Sequence, residues 1–338
     1  MDRSTLVHEP VMVGEMLAAL APKDSGLYVD GTFGGGGYTR AILDAADCSV
    51  VALDRDPNAI ACARKIGAEC LSRMAVIEGL FGDLARLLDE RNIASVDGVV
   101  LDIGMSSLQL DDVARGFSFQ HDGPLDMRMS GTGPCAAMVL NTLDESVLAD
   151  ILSAYGEERH ARRIAQAIVE ARAKAPLSRT SELANLIARV TPRVASQVKR
   201  GVNPATRTFL ALRIFVNDEL RELASALGAA EQCLRAGGRL VVVSFHSLED
   251  RIVKRFLEKR SAGRISTSRH LPDVPSPPPS FRLLFRGVKK PSSEEVSVNV
   301  RARSARLRAA ERTDACSYPL DFLSLSLPMV ECSLTGGR

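Results

Sequence analysis

The chain has no tryptophan, and aromatic residues make up only 4% of its 338 positions. That composition excludes a broad aromatic platform of the kind on which single-stranded nucleic acid stacks. No apolar run approaches the roughly 20 residues that a membrane span requires, and "MDRSTLVHEP" lacks the basic-then-apolar pattern of a secretory leader. The expectation is a cytoplasmic protein with no membrane partner. The seven cysteines (Cys48, Cys62, Cys70, Cys135, Cys233, Cys316 and Cys332) are odd in number and never form a C-x-x-C pair. Neither a disulfide framework nor a zinc cage is expected, and no metal site. Neither sign of charge dominates, with 43 Lys and Arg against 41 Asp and Glu. Basic residues cluster instead in "ERHARRIAQAIVEARAK", "VKR" at 198–200, "RIVKRFLEKR" and "RARSARLRAAER".

What is present is a rhythm. From residue 26 to about 107, strand-like runs ("LYVD", "SVVALD", "MAVIEG", "VDGVVLDIG") alternate with helical stretches at 38–46, 57–70 and 82–92. Such alternation implies right-handed crossovers and a parallel sheet covered on both faces, an α/β fold. After Ser107 the rhythm stops: a loop rich in Asp, Gly and Phe runs to 130, followed by helical patterns at about 144–153, 157–175 and 180–190. The expected organisation is a first part at 1–107, an inserted helical domain at 108–202, a return to the sheet at 203–312 and a weakly ordered tail at 313–338. Within the return, Gly237 and Gly238 read as a helix C-cap before the strand "RLVVVSF". Residues 261–293 read as loop, and "VSVNVRARSARLRAAER" as a last strand with a basic edge.

The chemistry begins at "DGTFGGGGYTR", residues 30–40, a glycine turn between a strand and a helix. The dinucleotide fingerprint G-x-G-x-x-G fails, because starting it at Gly34 or Gly35 leaves Thr39 or Arg40 in the third glycine position. A phosphate-binding P-loop fails as well, since Tyr38 and Thr39 follow Gly37 where Lys and Ser/Thr are needed. What remains is an acid ending each of three strands: Asp30, Asp54 in "ALDRD" and Asp102 in "VVLDIG". An acid at Asp54 can accept both hydrogen bonds of a ribose diol, although a helix N-cap before "PNAI" is an alternative. With no glycines specific for pyrophosphate, the best-fitting ligand is S-adenosylmethionine, its cationic methionine portion near Asp30 and the glycines. Phe81, in "GLFGDL", could lie on the adenine, and Asp102 stands where the methyl group would meet its acceptor.

These segments resemble the bacterial small-subunit ribosomal RNA methyltransferase H family. The likeness runs through "HEPVMVGEML", "YVDGTFGGGGYTRAIL", "ALDRDPNAI", "LDIGMSSLQLDDVARGFSFQHDGPLDMRM", "YGEERHARRIAQAIV", "NPATRTFLALRIFVNDEL", "GGRLVVVSFHSLEDRIVKRF" and "RARSARLRAAER", in order over residues 8 to about 312. It implies a class I methyltransferase sheet (Rossmann-like, mostly parallel) with a helical insertion. It also implies S-adenosylmethionine-dependent methylation of the exocyclic N4 of one cytosine in the decoding region of 16S rRNA, on the 30S subunit. Monomer and homodimer both remain open. Carried onto this chain, the family's cofactor contacts fall on Gly36, Gly37, Tyr38, Asp54, Phe81, Asp102 and Gln109. Tyr38 stands where the family has His, and Leu108 where it has Pro; the second change loosens the loop that carries Gln109.

Methylating a cytosine amine requires the base to be extruded and an acceptor to hold its N–H. The Asn or Asp-Pro-Pro-aromatic turn of DNA amine methylases is missing from "DIGMSS", so Asp102, or a backbone carbonyl of 103–106, is the expected substitute. "SFHSLEDR" brings Ser244, His246, Ser247 and Glu249 to a further strand end. His246 has two readings there: contact with the target base or phosphate, or a structural hydrogen bond. For RNA the candidates are "HDGPLDMRM", the face carrying Arg159, Arg162 and Arg163, then Arg172 and Lys174, and in addition Arg207, Lys254 and Arg255. Each of these arginines and lysines also fits a merely solvated face.

Overall fold

A computed structural model of the chain describes residues 10–69, 73–191, 203–262 and 277–330. The "VKR" cluster at 198–200, Cys70, Cys332 and the last eight residues lie outside the described residues, as does 263–276 of the expected loop. Seven strands form one sheet: β1 (Leu27–Asp30), β2 (Ser49–Asp54), β3 (Met74–Glu78), β4 (Val96–Asp102), β5 (Leu234–Ser244), β6 (Phe281–Leu283) and β7 (Arg306–Arg312). Their order is β3-β2-β1-β4-β5-β7-β6. The first five pair in parallel, and β7 runs antiparallel to both neighbours. This is the class I methyltransferase sheet that the resemblance implies.

The central strands β2 and β4 carry the apolar runs "VVAL" and "GVVL", buried along nearly their whole length, as a sheet covered by crossover helices demands. Because β2 and β3 lie to one side of β1 and β4 to the other, the chain reverses its winding between β1 and β4. Open parallel sheets bind ligands in the crevice outside the strand ends at such a point. Asp30 and Asp102 end the two strands that border it.

By its contacts the chain divides into two compact units, Met1–Gly104 with Leu220–Leu327, and Met105–Glu219 with Pro328–Arg338. All seven strands belong to the first. The second is helical, with Ala136–Thr142, Glu145–Gly156, Ala161–Arg172, Thr180–Val190 and Thr206–Asn217 around a core that includes Leu148, Ile164, Leu183 and Leu212. The helix Thr206–Asn217, assigned from the sequence to the returning sheet, packs on Glu145–Gly156. A Cβ on Gly156 would stand 2.5 Å from the Arg207 carbonyl, so the glycine lets the two backbones approach. "HDGPLDMRM" serves this unit's own architecture. Asp122 pairs with Arg179 at 2.7 Å, and Asn217 clasps the strained turn at Met127 (φ 62°), donating to the Met127 carbonyl and accepting from Met129 N–H.

Several expectations are corrected. Gly237 and Gly238 do not cap a helix: Glu219–Cys233 ends before Leu234, and the glycines lie where the β4–β5 register shifts, with Gly237 at φ 80°. The stretch expected to be loop supplies β6, and β7 is interior, with β6 outside it. Residues 313–330, expected as part of a weak tail, are held by Arg260. Its guanidinium stacks 3.8 Å above the Tyr318 ring, donates to the Tyr318 and Pro319 carbonyls, and pairs with buried Glu231 at 2.8 Å. The short helix Phe322–Leu325 adds a contact of Arg255 with the Leu325 carbonyl. Such an anchor has no periodicity from which it could be read.

In the helical unit, Arg213 donates through two nitrogens to both Glu219 oxygens at 2.7 Å, and both residues are buried. Removing the carboxylate takes from a buried guanidinium the counter-charge it pairs with. Glu219→Ala should therefore destabilise the protein by about 3 kcal/mol in chemical unfolding, whereas Glu90→Ala, which breaks an exposed pair with Arg86, should change stability little. Equal losses for the two would contradict this reading.

Candidate functional site

Four carboxylates gather at the carboxyl edge of the parallel strands: Asp30, Asp54, Asp102 and, at the start of helix Ser247–Ser261, Glu249. Asp30 is fully buried and accepts from Thr39 Oγ1 at 2.8 Å and from Thr32 N–H at 3.2 Å. Burial outweighs those bonds and pushes its carboxyl up to about 6. Thr32 also bridges the crevice, because its hydroxyl accepts from Asp102 N–H at 2.7 Å. Two neighbouring strand ends are thus clamped by one threonine.

Asp102 as a whole is half-buried, yet among the described residues its Oδ1 is sealed from solvent and has no hydrogen-bond partner. Burial first, then the proximity of Asp30 and Glu249, push its carboxyl up to about 8. A buried acceptor left without a partner is uncommon, because desolvation costs free energy that only a hydrogen bond or a counter-charge recovers. Here the group stays protonated at neutral pH and becomes a strong acceptor when a cation or donor enters.

Asp54 organises the glycine turn. Its Oδ2 accepts from Gly34 N–H and its Oδ1 from Asp56 N–H, at 2.8 and 2.9 Å. The cap of the following helix is Asp56, which accepts from Asn58 N–H, so the N-cap alternative for Asp54 passes to its neighbour. Burial raises the Asp54 carboxyl, while these backbone bonds oppose the rise. Each oxygen keeps a second lone pair for a further donor.

The turn's glycines have different reasons. A Cβ on Gly36, which lies at φ 79°, would stand 2.7 Å from the Phe33 ring, and one on Gly37 would stand 2.7 Å from Pro10. Packing within the protein alone demands glycine at those two positions. Only around Gly35 is the space open. The Tyr38 hydroxyl donates to the Val11 carbonyl at 2.5 Å, so this side chain is spent on holding the N-terminal segment, leaving the backbone for any ligand. Phe81 begins a 3-10 turn after β3, and a Cβ on Gly31 would lie 3.7 Å from its own Cβ.

Gln109 belongs to the second unit. It is buried, and with Ser106 it forms a capping box: its side chain accepts from Ser106 N–H, and its own N–H donates to Ser106 Oγ. His246 likewise caps a helix. Its Nδ1 accepts from Glu249 N–H at 3.4 Å, and its Nε2 lies 2.8 Å from Glu249 Oε1. Glu249 Oε2 accepts from Phe245 and His246 N–H in return. The structural reading of His246 is therefore realised, and it aims the imidazole at a carboxylate whose charge Asp102 feels.

Thr32 and Thr39 are the participants that sequence reasoning missed. Thr32 reaches Asp30 through its N–H and Thr39 through its hydroxyl, two and nine residues on, a spacing that carries no general signal. Of the basic candidates, Arg172 donates to the Leu140 and Leu143 carbonyls, Arg207 to the Glu157 carbonyl and Arg255 to that of Leu325, and Lys254 pairs with Glu258. These serve the fold. Arg159, Arg162 and Arg163 are exposed. Among the described residues no helix is long and apolar enough to cross a membrane.

The family model described as the MraW methylase family matches residues 5–313. A protein of Parvibaculum lavamentivorans named ribosomal RNA small subunit methyltransferase H is 56% identical over 336 residues, 98% of each chain. One of the same name from Xanthobacter autotrophicus is 56% identical over 312 residues, 92% of this chain and 89% of its own. Among solved structures, an rRNA methylase from Streptococcus thermophilus aligns at 10% identity over 91% of this chain and 99% of its own, with a TM-score of 0.41, too distant to add to the topology above. Across nearly its whole length, sheet and site residues included, the chain belongs to the MraW methylase family of methyltransferases.

Proposed function

We propose that the protein transfers a methyl group from S-adenosylmethionine to the exocyclic N4 of a specific cytosine in the decoding region of 16S rRNA, with the 30S subunit as its substrate. The relatives' shared name supports ribosomal RNA as the acceptor. The observation that carries the cofactor is the orphaned Asp102 Oδ1 beside buried Asp30, at the winding reversal of the sheet. An anionic ligand would be repelled there, and a neutral one would leave the charge uncompensated. A ligand bearing a sulfonium and an ammonium fits.

Asp30 and the backbone at Gly35 to Tyr38 would hold the cationic amino acid portion. Asp54 would accept from the ribose diol, and Phe81 would cover the adenine. When bound, the cofactor supplies an electrophilic methyl carbon on positively charged sulfur. The cytosine amine is a weak nucleophile because its lone pair is delocalised into the ring. Asp102 Oδ1, once ionised, accepts one N–H of that amine and favours the tetrahedral nitrogen that attack requires, while the buried edge keeps water from competing. His246, held by Glu249, faces the target base or its phosphate.

Two outcomes follow. Asp102 binds a proton in the folded chain up to about pH 8, whereas in the unfolded chain it releases that proton near the ordinary value of 3.8. Between those limits the folded state holds more protons, so each rise in pH lowers stability. Asp102→Asn should therefore raise the melting temperature of the ligand-free protein more at pH 8 than at pH 5. It should also weaken S-adenosylmethionine by about 10- to 100-fold, the worth of a charge-assisted contact. An equal melting shift at both pH values, with unchanged affinity, would refute the assignment. In the second test, labelled S-adenosylmethionine is incubated with 30S subunits lacking the modification, free 16S rRNA and DNA, followed by nucleoside analysis. N4-methylcytidine from 30S alone is expected; label in DNA, or in no acceptor, would overturn the reading.

A further inference from the structure

Beside the Asp102 edge, within the sheet unit, lies a cleft of about 200 Å³ that none of the assigned residues explains except His246. Its polar lining is His246, Ser247, Lys290, Arg303, Ser304 and Arg306. The lining contains three cationic side chains, two hydroxyls and an imidazole, and no carboxylate. Its net character is cationic. Lys290, Arg303 and Ser304 are exposed, and among the described residues neither Lys290 nor Arg303 has an ion-pair partner.

Among the described residues, the acids near this cleft are already committed. Asp250 takes Arg306 at 2.8 Å through one oxygen and Arg308 at 2.7 Å through the other. Two guanidiniums share one carboxylate, so a full positive charge is left over even before Lys290 and Arg303 are counted. Glu249 lies behind His246, engaged with the backbone of Phe245 and His246. The surplus is fixed in place by the fold: Ser244 of β5 pairs with Arg306 of β7, and β5 is also the strand next to β4, which ends in Asp102.

We propose that this cleft seats the phosphodiester backbone of the RNA substrate next to the nucleotide presented to Asp102, with Lys290, Arg303 and Arg306 as its cationic contacts and Ser247 and Ser304 as hydroxyl donors. The proposal rests on the RNA methyltransferase reading above. It assigns the backbone contact to Lys290, Arg303 and Arg306, whereas the sequence pattern nominated the Arg159, Arg162 and Arg163 face, Arg172, Lys174, Arg207, Lys254 and Arg255. Phosphate contacts position a nucleic acid without reading its sequence, and a site adjoining the reacting base is where such positioning constrains the chemistry most.

The test is a Lys290→Gln, Arg303→Gln double variant, compared with wild type by filter binding to labelled 30S subunits over a range of salt concentrations and by methyl transfer. Each lost phosphate contact removes about 0.7–0.9 from the slope of log affinity against log salt. The double variant should lose about 1.5 from that slope and bind about tenfold more weakly at 150 mM salt, with S-adenosylmethionine affinity unchanged. Lys290→Arg with Arg303→Lys should restore RNA binding. An unchanged slope and affinity in the Gln variant, while wild type still methylates 30S, would overturn the cleft and leave the function standing. Wild type that labels no RNA would overturn both.

Discussion

The structure turns on a carboxyl group held out of water without a partner. Asp102 ends a buried parallel strand, its backbone N–H is fixed by Thr32, and its Oδ1 meets no donor among the described residues. Around it Asp30 and Glu249 add negative field rather than relief. Folding alone gains nothing from this arrangement, since burying like charges together raises the free energy of the ionised state. A fold that belongs to a methyltransferase family and keeps such a cluster at the winding reversal of its sheet is set to receive positive charge. The proposed sulfonium cofactor brings that charge to the place where the sheet topology opens a crevice.

The remaining polar chemistry is divided between holding the fold and meeting a ligand. Arg213, Arg260, Arg172 and Arg207 cap carbonyls or neutralise carboxylates inside their own units. Asp54 both ties the glycine turn through Gly34 and keeps lone pairs for a further donor. His246 is a helix cap whose imidazole is pinned by Glu249, so a role toward substrate and a role in the scaffold coexist in one side chain. Among the described residues of the sheet unit, Asp102 holds a carboxyl that ionises only against added positive charge, and the Arg303 and Lys290 cleft holds positive charge with no carboxylate in its lining. A cationic cofactor and an anionic RNA call for that pair of signs.

The alternating sheet was legible because parallel strands are apolar runs with turn signals between them, and the three acids were legible because each ends such a run. The reason for the glycines was not: Gly36 and Gly37 are demanded by Phe33 and Pro10, contacts between segments that no local pattern links. Nor was the orphan status of Asp102, which depends on what the folded chain fails to bring near. Thr32 and Thr39 went unread because a hydroxyl beside a buried acid has no spacing rule. The edge strand Phe281–Leu283 is too short to show periodicity, and the Arg260 and Tyr318 anchor is a single long-range stack. The helix Thr206–Asn217 was recognised as a helix but placed on the wrong side of the boundary, since amphipathicity does not say which core a helix faces.

The most direct test of this account is calorimetry of S-adenosylmethionine binding at pH 7 in buffers of different ionisation enthalpy, which counts the protons exchanged. A carboxyl held at about 8 in the empty site and ionised against a cation must release its proton. The account predicts release of close to one proton on binding to the wild-type chain and none for Asp102→Asn. Binding to wild type with no proton released would mean that Asp102 does not meet the cofactor's charge, and the central claim would fail.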